Sequence, residues 1–180
     1  LPEVEWRCGL AEVVKHGLLA DPGLLDPDLL IRERAAEFVP RAVSVKVAVV
    51  EQDPYEQNVR AFLNLGHTFG HALEQVSGYT WKHGQAVAIG LVAAIRLSAR
   101  LGQCDPALIA QVEKLLGRLE LPTRLGRYDP ESLWEAMATD KKWEHGRARF
   151  VLLKEIGKPF IMEDIDPGDV ISVLTELSGA

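Results

Sequence analysis

Arg60-Ala-Phe-Leu-Asn64-Leu-Gly-His67-Thr-Phe-Gly-His71-Ala-Leu-Glu74 is the stretch on which the reading of this chain turns. At about 100° per residue, Arg60, Asn64, His67, His71 and Glu74 fall on one stripe narrower than a quarter turn, and Phe62, Leu65, Phe69, Leu73 and Val76 fall opposite. One face suits a core; the other presents a guanidinium, an amide, two imidazoles and a carboxylate. A helix over 59–77 is therefore expected, or one that begins near Asn64 with Arg60 joining the same face from the preceding turn. Solvated helix faces are built mostly from Lys, Glu and Gln. Two of the chain's 5 histidines at i, i+4 beside Arg and a carboxylate read instead as ligands or acid/base groups.

Outward from that stretch, Asp-Pro recurs as punctuation at Asp21-Pro22, Asp26-Pro27, Asp53-Pro54, Asp105-Pro106, Asp129-Pro130 and Asp166-Pro167. An Asp carboxylate accepts from the open amides of a first helical turn, and Pro at the next position loses no hydrogen bond there. These signals and the apolar spacing predict helices near 4–19, 27–38, 40–51, 84–101, 106–119, 130–143 and 167–177. One segment differs. Arg147 to Leu153, then Ile156-Gly-Lys-Pro159, then Phe160-Ile-Met162 reads as two β-prone runs around a turn, a hairpin that must lie against helices to be stable. The expected fold class is mainly α, a multi-helix domain over 1–180 with one short β-hairpin near 147–162.

Composition bounds the function. The 180 residues are 47% hydrophobic and 26% charged, which suits one globular domain and excludes a disordered chain. A net charge of −6 gives no overall positive field to draw the chain to nucleic acid or anionic lipid. The 2 cysteines, Cys8 and Cys104, are too few for a disulfide framework and suit a reducing cytoplasm. Ala86 to Leu97, interrupted by Arg96, falls short of the roughly 20 residues a membrane span needs and reads as a core helix. Neither GxGxxG nor GxxxxGK[ST] occurs, so a dinucleotide-binding half is not expected within these residues. Leu1 in place of Met, inside a helix-like run, makes the chain read as part of a longer protein.

Two imidazoles and a carboxylate with an open position form the ligand set of a catalytic zinc ion. Spacing alone selects His67 and His71 as the chelating pair, with His83 and Glu12 as further candidates. His83 stands at a loop-to-helix boundary. Glu12 and Lys15 (i, i+3) also fit a plain surface ion pair. Lys15, Lys46, Arg60, Lys141 and Lys142 add a cationic theme that suits a phosphate or carboxylate ligand.

Five ordered motifs now carry a resemblance: Gly9-Leu-Ala-Glu-Val-Val-Lys-His-Gly-Leu-Leu; Lys46 leading to Glu51-Gln-Asp-Pro; Arg60 to Glu74; Lys82-His-Gly-Gln-Ala-Val-Ala-Ile-Gly90; and Asp140-Lys-Lys with Arg147-x-Arg-Phe-Val-Leu-Leu. Together they resemble the C-terminal domain of the 3-dehydroquinate synthases, across essentially the whole chain; sister sugar-phosphate cyclases share several of them. The resemblance implies a helical metal- and substrate-binding domain whose N-terminal NAD-binding α/β partner domain is absent here. The implied reaction closes 3-deoxy-D-arabino-heptulosonate 7-phosphate to 3-dehydroquinate with release of phosphate, a shikimate-pathway lyase step, in a cytoplasmic homodimer. Another sugar-phosphate cyclase and a metal-dependent polyol dehydrogenase are the alternatives. By motif, Glu12, His67 and His83 match ligands of Zn2+ or Co2+, which displaces the spacing-based pair. Lys15, Lys46 and His71 match catalytic positions. Lys15, Lys46, Arg60, Asn64, His71 and one of Lys141 or Lys142 match substrate-binding positions. Gln52 departs from the acidic residue expected there, with Asp53 next to it.

Overall fold

The computed structural model describes residues 1–55, 59–139 and 149–179. Its elements in chain order are α1 (Glu3–Leu19), 3-10 turns at Pro22–Leu25 and Arg32–Arg34, α2 (Ala35–Gln52), a 3-10 segment (Val59–Asn64), α3 (His67–Val76), α4 (His83–Arg100), α5 (Ala107–Arg118), α6 (Pro130–Thr139), β1 (Arg149–Leu153), β2 (Pro159–Glu163) and α7 (Pro167–Ser178). The fold is mainly helical with one antiparallel hairpin, as the sequence predicts.

Helix α4 is the axis of the core. It is buried along nearly its whole length from Gly84 to Ser98, and α1, α3, α5, α7 and β1 pack around it. A helix apolar on all sides is stable in water only when enclosed in this way. Arg96, which interrupts the apolar run, is paired with Glu113 at 2.8 Å and Glu176 at 3.0 Å. No described helix is long and apolar enough to cross a membrane.

The hairpin pairs Arg149 with Glu163 and Leu153 with Pro159 at its ends. Phe150 to Leu153 are buried. The buried Ser98 hydroxyl donates to Ala94 O at 2.8 Å and accepts the Leu153 amide at 3.1 Å, which satisfies the hydroxyl and ties β1 to α4. At the hairpin turn, Gly157 N–H donates to Leu18 O on α1 at 2.8 Å.

Two helix expectations need correction. No helix begins at Pro27: the Asp26 carboxylate accepts from Asp28 N in a local turn, and α2 begins at Ala35 and runs through Pro40 to Gln52. Pro40 deletes one backbone bond there, yet Phe38 and Ala42 are buried on either side of it, so packing outweighs the local stop signal. The expected helix over 59–77 is divided. Val59–Asn64 is 3-10, and α3 starts at His67 after Gly66, whose φ is +77°. Gly66 allows the left-handed step that resets the helix. The cause of the close seam behind it is Gly90 on α4, where a Cβ would overlap the Gly66 carbonyl oxygen. On the other side of α4, a Cβ at Gly84 would overlap the Cys8 backbone of α1. These two backbone approaches bring α1, α3 and the start of α4 together. The end of the expected helix 130–143 lies outside the described residues.

Candidate metal centre

Glu12 and Lys15 stand one turn apart on α1, His67 is the first residue of α3, and His83 is the first residue of α4. The seams at Gly66, Gly84 and Gly90 therefore converge on this point. Ligand-capable atoms of Glu12, His67 and His83 all lie within 4.8 Å of one another. Glu12 Oε1 is 3.4 Å from His67 Nε2 and 3.6 Å from His83 Nε2.

The opposite nitrogens decide what faces Glu12. His67 Nδ1 lies 3.2 Å from Leu65 O, and a carbonyl only accepts, so Nδ1 carries the hydrogen and Nε2 presents a lone pair. His83 Nδ1 lies 3.2 and 3.4 Å from the two Glu74 carboxylate oxygens, with the same result. Two imidazole lone pairs thus converge on Glu12 Oε1, itself buried with no hydrogen-bond partner. Such an arrangement repels itself unless a cation sits among the three atoms; a proton serves one pair, a metal ion all three.

Lys15, only 4% exposed, places Nζ 2.6 Å from Glu12 Oε2. The pair is thus made under cover rather than at the surface. Burial alone would raise the Glu12 carboxyl; a proton on the His67 ring facing it, where one is present, and the Lys15 ammonium outweigh burial and hold Glu12 well below the usual carboxylate range. Burial lowers the Lys15 ammonium, Glu12 opposes this, and Lys46 adds to it. Lys46 is exposed on α2. Arg60 and Asn64, half-buried, lie on the 3-10 segment, which packs against α1, α2 and the hairpin. Arg60 N donates to Asp53 Oδ2 at 3.1 Å and Nη1 to Pro54 O at 2.8 Å. These two bonds tie Arg60, on the 3-10 segment before α3, to the residues that follow α2. Lys141 and Lys142 lie outside the described residues.

His71 is gathered differently from the spacing-based expectation. Its ring stands edge-on to His67 at 5.4 Å between centroids, but its ligand-capable atoms group with Glu74 and His83. The sequence places the Glu74 carboxylate on the quoted stripe without a partner; that partner, His83, is on another helix, which periodicity cannot show.

His16 was also unassigned. It is 6% exposed, and neither ring nitrogen has a hydrogen-bond partner. Burial first, and then the Lys15 charge, push its pKa down to about 4; Lys46 and His67 act the same way and Glu12 opposes them. The folded value lies below the ordinary value of about 6.5, so between those limits the unfolded chain binds the extra proton and stability falls as pH falls. The loss should approach about 3 kcal/mol near pH 4. Urea melts with a chelator present should show that slope in the parent chain and a shallower one in His16→Leu; equal slopes would refute the assignment.

Residues 9–143 match the family model described as 3-dehydroquinate synthase C-terminal. Among curated relatives, 3-dehydroquinate synthase of Dehalococcoides mccartyi is 42% identical over 98% of this chain and 52% of its own length. That of Acinetobacter baumannii is 43% identical over 92% of this chain and 49% of its own. The chain thus spans about half the length of the curated relatives it matches. A solved 2-epi-5-epi-valiolone synthase from Streptomyces hygroscopicus, with NAD+ and Zn2+ bound, superposes with a TM-score of 0.87 at 24% identity, over 99% of this chain and 52% of that one. A 2-deoxy-scyllo-inosose synthase with carbaglucose-6-phosphate, NAD+ and Co2+ gives 0.83 at 22% identity, over 97% and 52%. At that identity the two structures speak for the fold. The match across most of its length and the identity to these relatives make the chain a member of the 3-dehydroquinate synthase C-terminal family.

Proposed function

We propose that this chain is the metal- and substrate-binding part of a 3-dehydroquinate synthase, which converts 3-deoxy-D-arabino-heptulosonate 7-phosphate to 3-dehydroquinate and phosphate. In this reading residues 1–180 form one helical domain, and NAD is held mainly by the half of the relatives' length that the chain does not span. The observation that carries the reading is Glu12 Oε1, buried without a hydrogen-bond partner and faced by two imidazole lone pairs.

Glu12, His67 and His83 would hold Zn2+ or Co2+. Tetrahedral ligands about 2.0–2.1 Å from zinc stand roughly 3.3–3.4 Å from each other, and separations of 3.4 and 3.6 Å suit that set. Bound there, the ion polarises substrate hydroxyl oxygens and lowers their pKa. The chain's own side chains do the rest. Lys15, desolvated beside Glu12, keeps a positive charge at the floor of the site. Lys46 and Arg60, with Lys141 or Lys142, attract the substrate's phosphate and carboxylate through charge-assisted bonds. Asn64 offers an amide to hydroxyls, and a His71 ring nitrogen accepts or returns a proton as phosphate leaves.

Glu74 acts through His83. A carboxylate on the far nitrogen fixes the tautomer and turn of a ligating imidazole, and its loss typically weakens metal binding 10–100-fold. Glu74→Gln should therefore weaken zinc binding by about that range, measured by competition with a chromophoric chelator; unchanged affinity would remove Glu74 from the site.

Phosphate release tests the function. These 180 residues, joined to the half that completes the relatives' length and given NAD and zinc, should release phosphate from 3-deoxy-D-arabino-heptulosonate 7-phosphate. Chelation should abolish release and zinc restore it. A folded, zinc-loaded enzyme that releases none would point to a sister cyclase.

A further inference from the structure

Beyond the centre at Glu12, His67 and His83, and taking that centre as read above, we propose that the imidazole of His83 is shared by two cation sites, the second completed by His71 and Glu74. His71 and Glu74 are one turn apart on α3, and His83 opens α4 directly across from them. Ligand-capable atoms of the three lie within 4.8 Å of one another, a bound that the first trio also meets. The Glu74 oxygens stand 3.2 and 3.4 Å from His83 Nδ1. That is a hydrogen-bond length, and it is also about the 3.3–3.4 Å edge of a tetrahedral zinc site. The His71 and His83 rings lie 6.0 Å apart between centroids and are inclined by 31°, and a ligand-capable atom of each comes within 4.8 Å of a Glu74 oxygen.

The donors fix the class of ion. Two imidazoles and one carboxylate suit Zn2+, Co2+, Ni2+ or Cu2+, whereas Mg2+ and Ca2+ need more oxygen. The Glu74 side chain is 15% exposed and that of His83 49%, so the ion arrives from solvent along the His83 ring. On binding, the Nδ1 hydrogen leaves as a proton to solvent, its lone pair passes to the second ion, and Nε2 remains with the first. The second site is therefore the weaker one, because it replaces a hydrogen bond already made and sets two like charges across one ring. Its filling also ties His71 to metal and takes that ring from the substrate, so zinc beyond one equivalent should inhibit.

The test is Co2+ titration of the metal-free chain by equilibrium dialysis and visible absorption. The parent chain should take up two ions at separable affinities. His71→Ala and Glu74→Gln should each keep one ion and lose the second, whereas Glu12→Ala should lose the tight one. Saturation of the parent chain at one ion, absent from Glu12→Ala and kept by His71→Ala, would overturn the second site and leave the first intact. A single ion lost in His71→Ala and kept at full affinity in Glu12→Ala would instead overturn the first. The parent stoichiometry needs no variant to fold, and circular dichroism identifies any variant that does not.

Discussion

Glu12→Ala is expected to lose tight zinc binding and to destabilise the metal-free fold by about 3 kcal/mol. The two effects have separate causes. The first is loss of the one oxygen on which the His67 and His83 lone pairs converge. The second is the fate of Lys15, whose ammonium is buried and whose ion pair is made with Glu12 at 2.6 Å. Removing one member of a buried pair leaves the other charge uncompensated, which costs more than the intact pair contributes. Lys15 can shed part of that cost by losing its proton, the direction in which burial already pushes it. A double variant, Glu12→Ala with Lys15→Met, should recover most of the stability in chemical denaturation and none of the zinc binding. Zinc affinity unchanged in Glu12→Ala would sink the ligand assignment, and a double variant as unstable as the single one would sink the account of Lys15.

Gly90→Ala should have a large effect for a single added methyl group. Overpacking usually costs about 1–3 kcal/mol, because flexible side chains move aside. Here the obstacle is the Gly66 carbonyl, held by a left-handed residue at the start of α3, so the expected cost is at least about 3 kcal/mol. Since α3 must retreat from α4, His67 moves away from Glu12 and His83, and zinc affinity should fall as well. Gly117→Ala on α5 is the control. A Cβ there meets nothing within 4 Å, and Ala in a helix should stabilise by about 0.5–1 kcal/mol. Urea midpoints of the two variants should therefore move in opposite directions; a shared small shift would mean that the α3–α4 seam is loose.

What the sequence disclosed follows the range of each interaction. Asp129 and Asp166 announce α6 and α7 because capping is settled within three residues: Asp129 Oδ2 accepts from Ser132 N and Asp166 Oδ1 from Gly168 N. The continuous apolar run of α4 announces a core helix for the same local reason. Pro40 misleads, since its local stop signal is overcome by burial of Phe38 and Ala42, a matter of tertiary packing. The break before His67 is not legible in the spacing, because the 100° arithmetic assumes an unbroken helix and Gly66 alone does not announce a left-handed step. The trio of Glu12, His67 and His83 came from resemblance and could not have come from spacing. It depends on α1 and α4 meeting where Gly84 passes the Cys8 backbone, and a glycine does not name its neighbour. Spacing instead paired His67 with His71. In the structure the Leu65 carbonyl turns His67 Nε2 toward α1, while His71 groups with Glu74 and His83.

The seam between α1 and α4 also orders events in time. Glu12 and His83 come from elements separated by α2, the 3-10 segment and α3, and such long-range contacts form only after the intervening loop has closed. Contacts within a helix need no such closure, so the atoms of Glu12, His67 and His83 are expected to converge late in folding. Interactions absent from the transition state act on the rate of unfolding and leave the rate of folding nearly untouched. A metal ion held there as proposed would therefore act as a brake on departure from the native state, and depletion of metal should shorten the lifetime of the fold while leaving its rate of assembly nearly unchanged.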